Sequence, residues 1–245
     1  MLFSNFPIDI RPSWRFLALC VTLLMSACGG GSNNTSSTPN QPTPPLPAQL
    51  GKVFALTDVG DLTATLDGYA ALATVDGLAF RTAWKVLEPQ NGVYNWSTLD
   101  TAFDTVRARG KQLTLHIGAS SMGLPPWLFG LGVATYTYTP PGGLPVTEPI
   151  PWDATFISRY TQFVTALAAH IQARGDASLL YAVSDGVPVA EMSIVGCQNG
   201  ALNGGILYNR TSYLNAWKAT IDAYAVAPAF AASNLFICFV GGIGG

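Results

Sequence analysis

Four side chains in one short stretch carry most of the chemistry open to this sequence: Arg81, Trp84, His116 and Trp127. The two indoles can offer flat apolar faces to a ring, while the guanidinium and the imidazole can donate hydrogen bonds to hydroxyl groups around it. Such a set holds a ligand; cleaving one needs carboxylates as well. Glu191 is the carboxylate nearest a later apolar run, and Glu148 lies in a long Tyr-, Thr-, Gly- and Pro-rich segment between Phe129 and Trp152. A connection that long suits a ligand-binding loop as well as an idle insertion. Glu88, several residues past the first apolar run, reads with Trp96 as a brace between loop and helix. Two histidines and scattered cysteines show no metal-ligand spacing. A net charge of −2 provides no basic field for nucleic acid.

The elements that must position these residues follow from the pattern around them. Leu78 to Thr82 predicts a strand ending near Arg81 and Trp84, and Glu88-Pro89 and Asn91-Gly92 then break the chain. A helix follows with Asn95 or Ser97 as cap, Leu99, Phe103 and Val106 on one face, and Gly110 as stop signal. Gln112 to Ile117 is apolar enough to predict a parallel strand covered on both sides. In parallel α/β folds the ligand gathers at the carboxyl ends of the strands, where all four residues fall.

The run R-x-x-W-x-x-x-E-P-x-x-G-x-Y-x-W-x-x-L-D from Arg81 to Asp100, then G-K-x-L-x-L-H ending at His116, then P-P-W-L at Pro125 to Leu128, resembles retaining (β/α)8-barrel glycoside hydrolases of the beta-galactosidase and cellulase type. The resemblance implies the second and third βα units of a barrel and a carbohydrate ligand or substrate, with no cofactor. Arg81, Trp84, His116 and Trp127 would then be substrate-binding residues; the alternatives are that the indoles are core and that Arg81 pairs with a carboxylate inside the barrel. In those families a Glu, often in an Asn-Glu pair at the end of the fourth strand, donates the proton, and a Glu at the end of the seventh is the nucleophile. Here the fourth position offers Ala190-Glu191, without the Asn, and about five units leave no seventh strand to carry a nucleophile. With Val189 to Val195 as the fourth strand, Glu191 reads first as a wall carboxylate and second as the catalytic proton donor. Leu179 to Val183 competes for that strand.

Elsewhere Lys52 to Thr57 predicts the first strand, and Leu62, Leu66, Tyr69 and Ala73 a short helix. Asp153 caps a strong helix with Phe156, Tyr160, Phe163, Leu167 and Ile171 on one face and Gly175 at its end; His170 on it reads as structural. A last helix, capped by Thr211 or Ser212 with Leu214, Trp217, Ile221 and Tyr224 on its face, leads to a strand at Leu235 to Val240. The fold class is therefore α/β, an incomplete TIM barrel of about five βα units. A full barrel takes roughly 250 residues, more than Gln49 to Gly245 supply, so the expectation is a barrel cut short; an open parallel sheet is the alternative.

The leading segment carries other signals. Residues 1–27 combine Arg11 and Arg15 with an apolar run from Phe16 to Ala27, too short to span a bilayer, as an export signal does. Its end, Leu24-Met25-Ser26-Ala27-Cys28, resembles the lipobox of bacterial lipoproteins, which implies cleavage before Cys28, acylation of its thiol and attachment to a membrane surface. Residues 28–48 are Gly-, Ser- and Pro-rich and predict a disordered tether; residues 49–245 form the folded domain. Cys197 and Cys238 are expected as buried free thiols, although export permits a disulfide. Three functional readings stay open: a surface-anchored glycoside hydrolase, a carbohydrate-binding lipoprotein without turnover, and an exported structural protein without ligand.

Overall fold

The computed structural model describes residues 51–57, 63–119, 123–139, 144–185, 201–202, 206–207, 209–231 and 233–237. In chain order the elements are β1 (Phe54–Leu56), α1 (Thr63–Ala70), β2 (Gly77–Ala83), α2 (Trp84–Leu87), α3 (Ser97–Ala108) and β3 (Gln112–Gly118), followed by a hairpin of β4 (Thr135–Tyr138) and β5 (Val146–Pro149). Then come α4 (Ala154–Arg174), β6 (Leu180–Asp185), a second hairpin of β7 (Ala201–Leu202) and β8 (Ile206–Leu207), α5 (Arg210–Ala225) and β9 (Asn234–Ile237).

Five of these strands form one parallel sheet in the order β1-β2-β3-β6-β9. Each new strand is added beside the last, with no reversal of direction across the sheet. A doubly wound sheet would reverse at a switch point; winding that never reverses keeps every connecting helix on one side and is that of a (β/α)8 barrel. The sheet is thus a five-strand portion of such a barrel.

The helices and the sheet face beneath them share one core. It joins Leu78 and Phe80 of β2, Leu113, Leu115 and Ile117 of β3, and Val183 of β6 to Leu99, Phe103 and Val106 of α3 and to Phe156, Tyr160, Phe163, Leu167 and Ile171 of α4. Alternation along β3 leaves Thr114 and His116 on the opposite face, where they are half-buried. β3 is a parallel strand as expected, but its two faces differ: the apolar residues are buried on the helix side, and the half-buried other face lines the barrel interior.

Local signals set the helix ends. Asp153 Oδ1 accepts from the Phe156 amide at 2.8 Å and its Oδ2 accepts from the Ala134 amide at 3.1 Å, so one carboxylate caps α4 and ties down the foot of the β4–β5 hairpin. Gly175 ends α4 in the left-handed region, at φ 72°. Asn95 Oδ1 accepts from the Ser97 amide at 3.2 Å at the start of α3. The cap of α5 is Asn209, bonded to the Ser212 amide at 2.9 Å, rather than Thr211 or Ser212. Its buried residues are Tyr213, Ala216, Trp217, Thr220 and Tyr224, so Trp217 and Tyr224 are buried as expected while Leu214 is 52% exposed. The fourth parallel strand is β6, the competitor of Val189 to Val195, and that latter run lies outside the described residues.

Gly77 has no room for a side chain beside its register partner Gln112. A Cβ there would meet the Gln112 carbonyl oxygen at 1.9 Å and Phe54 Cε1 at 2.8 Å, and the first of these is backbone of the paired strand. Gly77→Ala is expected to lower unfolding free energy by more than about 2 kcal/mol, read as a fall in the urea midpoint with the slope unchanged.

Candidate functional site

The parallel register brings three polar side chains into one lateral row. Arg81 of β2 pairs with His116 of β3, which pairs with Ser184 of β6. Neighbouring strands lie about 4.8 Å apart, and partners in register point to the same face. That face is the one opposite the helices, because Phe80, Leu115 and Val183, each one residue earlier, enter the core. Arg81 is exposed, and His116 and Ser184 are half-buried. The Arg81 amide donates to Thr57 Oγ1 at 3.4 Å, linking the row to the segment that follows β1. The row sits at the carboxyl ends of its strands, where barrel folds place ligands.

Burial first, and then the Arg81 guanidinium beside it, hold the pKa of His116 below the ordinary 6.5. The ring is therefore neutral at physiological pH and can both donate and accept a hydrogen bond. Arg81 supplies the charge of the row, with donors in a fixed fork.

The two tryptophans do not join this row. Trp84 is 0% exposed, its ring 5.3 Å from Tyr160, 5.6 Å from Phe163 and 5.7 Å from Trp127. α2 begins at Trp84 itself and turns the indole into the helix-side core, which corrects the expectation of a face offered to ligand. Trp127 is half-buried beside it, with its Nε1 donating to the Glu88 carbonyl at 2.9 Å and the Arg159 guanidinium of α4 5.9 Å from its ring centre. These contacts place Trp127 on the helix side too, apart from the face of Arg81 and His116.

Glu88 holds this aromatic group together. Its Oε2 accepts from Trp84 Nε1 at 2.7 Å and its Oε1 accepts from the Gly92 amide at 2.8 Å, while the side chain is buried. Burial, and then the nearby Glu88 charge, raise the Tyr94 hydroxyl above its ordinary pKa of 10.0, with Arg159 opposing. Tyr94 stacks on Trp96 at 5.0 Å and Trp96 stacks on His170 at 5.0 Å, with His170 Nε2 bonded to Asp100 Oδ1 at 2.6 Å. Glu88, Trp96 and His170 are thus structural, as their positions imply.

The long connection between Phe129 and Trp152, expected as a loop, carries the β4–β5 hairpin instead. Glu148 and Tyr136 face each other across the β4–β5 hairpin, and the Tyr136 hydroxyl donates to Glu148 Oε2 at 2.6 Å with both side chains buried. The alternating Thr and Tyr before Thr139 is the signal for that hairpin. Ser184 carries no such signal in the sequence, where Val189 to Val195 is the stronger strand pattern. Glu191, Cys28, Cys197 and Cys238 lie outside the described residues. Among the described residues no three His, Cys, Asp or Glu side chains come together in a way that could hold a metal ion.

The family model described as Glyco_hydro_42, beta-galactosidase, matches residues 73–131, which contain Arg81, His116 and the Glu88 group. No curated protein matches the chain significantly. Among solved structures, a glycoside hydrolase of family GH5_18 from Streptomyces cattleya, in complex with GlcNAc, is 15% identical with a TM-score of 0.49, covering 76% of this chain and 44% of that one. The catalytic domain of a beta-amylase from Paenibacillus polymyxa is 18% identical with a TM-score of 0.45, covering 74% and 49%. A beta-galactosidase from the Antarctic haloarchaeon Halorubrum lacusprofundi is 17% identical with a TM-score of 0.41, covering 55% and 21%. The chain thus spans half or less of the length of these structures: 44%, 49% and 21%. Over residues 73–131 it resembles the barrel glycoside hydrolases of the beta-galactosidase type.

Two measurements follow from the electrostatics of the row. In Arg81→Gln the His116 titration midpoint, read by NMR, should rise toward 6.5 yet stay below it, since burial is the larger cause. The folded pKa lies below the unfolded one, so His116 contributes stability that is present above pH 6.5 and is lost as the pH falls through the folded midpoint. The stability advantage of the wild type over His116→Gln should shrink across that interval.

Proposed function

We propose that this chain is a glycoside hydrolase-like surface lipoprotein that engages carbohydrate at the carboxyl ends of β2 and β3. One observation carries the reading: Arg81 and His116 are direct register partners on the face opposite the core, inside the segment similar to the beta-galactosidase family. A guanidinium and a neutral imidazole side by side can bond neighbouring sugar hydroxyls, and the helix-side aromatic group built on Glu88 fixes the loop that leaves β2.

Hydrolysis requires two carboxyl groups about 5 Å apart in the retaining mechanism. Glu191 follows the end of β6 at Asp185 by six residues in sequence; as proton donor it protonates the leaving oxygen while a second carboxylate bonds the anomeric carbon and water later frees the sugar, and since the resemblance puts that nucleophile on a seventh strand, no residue of this chain is assigned to it. A second reading, saccharide binding without turnover, draws on Glu88: both of its carboxylate oxygens are already engaged by Trp84 and Gly92. Cys28, acylated after signal removal, and the 28–48 tether would hold the domain at a membrane surface in this proposal.

The full chain should bind soluble disaccharides such as lactose, cellobiose or xylobiose by calorimetry, and Arg81→Gln should weaken that binding about tenfold or more. On aryl β-glycosides the hydrolase reading predicts turnover by a version of the chain that supplies a nucleophile Glu and none by this one; in that version Glu191→Gln should remove turnover while leaving affinity within about twofold, and turnover that survives the change refutes its role. In a bacterial host, Cys28→Ser should abolish incorporation of a labelled fatty acid and release the protein from the membrane fraction.

A further inference from the structure

The row that carries Arg81 and His116 does not end at β3. Ser184 is the register partner of His116 on the fourth parallel strand, half-buried on the same face. One layer below, the same face is made of Ala79 on β2, Thr114 on β3 and Ala182 on β6, again direct partners. Thr114 turns its hydroxyl to the Leu78 carbonyl at 3.5 Å, so this lower layer is small and offers little competing polarity. At the β1 side it meets Leu56, which pairs with Ala79 and is 61% exposed, so the face is open there. Deeper still, Phe54 packs on Tyr181 at 5.0 Å across Gly77 and closes the floor.

We infer that Ser184 is a third carbohydrate-contacting residue and that Ala79 leaves the depth into which a sugar ring settles. The inference rests on the proposed function and extends it to a residue and a size limit. Two strand spacings separate Arg81 from Ser184, about 10 Å, the length of two linked pyranose rings. A disaccharide therefore lies across the strands, one unit near Arg81 and His116 and the other bonded by the Ser184 hydroxyl.

Calorimetry with lactose, cellobiose and xylobiose on the full chain tests this. Ser184→Ala should weaken the best of these ligands about five- to tenfold, and Ala79→Leu should abolish its binding by filling the depression. Ser184→Ala removes one oxygen from a half-buried position, so it keeps the test valid should Ala79→Leu fail to fold. Affinities of Ser184→Ala within twofold of wild type, in a chain whose binding Arg81→Gln still weakens, overturn the inference and leave the proposed function standing. Binding absent from the unaltered chain, or indifferent to Arg81→Gln, removes the underlying reading and the inference with it.

Discussion

The close parallel pairing of β2 with β3 sets the position of everything that could touch a ligand. From Gly77 opposite Gln112 to Ala83 opposite Gly118 the two strands stay in unbroken register. A one-residue slip of either strand would send its polar residue, Arg81 or His116, into the core and its apolar neighbour, Phe80 or Leu115, out of it. At one end the pairing needs the absent side chain of Gly77, because a Cβ there would run into the Gln112 carbonyl. Along its length it is held by Leu78, Phe80, Leu113, Leu115 and Ile117, whose burial requires the helix side. The polar row is therefore a by-product of core burial, and its geometry needs no interaction among the polar residues themselves.

The second support lies just past the strand ends. Trp84 enters the core as the first residue of α2, and the buried Glu88 carboxylate satisfies its indole N–H and the Gly92 amide together. A buried indole donor or amide left without a partner costs about 1 to 3 kcal/mol, so Glu88 links the β2 end to the Asn91-Gly92 turn with little freedom. Trp127 adds the loop after β3 to the same carboxylate residue through its backbone oxygen. The two loops that leave β2 and β3 are thus fastened on the outer side of the sheet, and the inner side is left to Arg81, His116 and Ser184.

Much of this is legible in the sequence, for reasons that differ by residue. β2, α3, β3 and α4 follow from apolar runs and from the 3.6-residue spacing of Leu99, Phe103 and Val106 and of Phe156, Tyr160, Phe163, Leu167 and Ile171, all of which are buried. Arg81 and His116 fall at strand ends because apolar runs stop there. The face on which Trp84 lies is not legible: its place after a strand is plain, but the turn into α2 that sends it inward is a tertiary outcome. Likewise β6 ends in Ser184-Asp185 and is less β-branched than Val189 to Val195, so propensity favours the later run, while the strand beside β3 is Leu180–Asp185. That displacement hides Ser184, and in α5 the apolar Leu214 masks the burial of Tyr213, Ala216 and Thr220 beside the expected Trp217 and Tyr224.

The chain contains two histidines, on opposite sides of the sheet: His116 in the polar row and His170 stacked on Trp96 in the helix layer. Imidazole NMR resonances recorded while a disaccharide is added therefore report which side meets ligand. The account predicts that the His116 ring signals shift with saturation while those of His170 stay in place. Movement of His170 with His116 unchanged, or of neither in a chain that binds sugar, would contradict it.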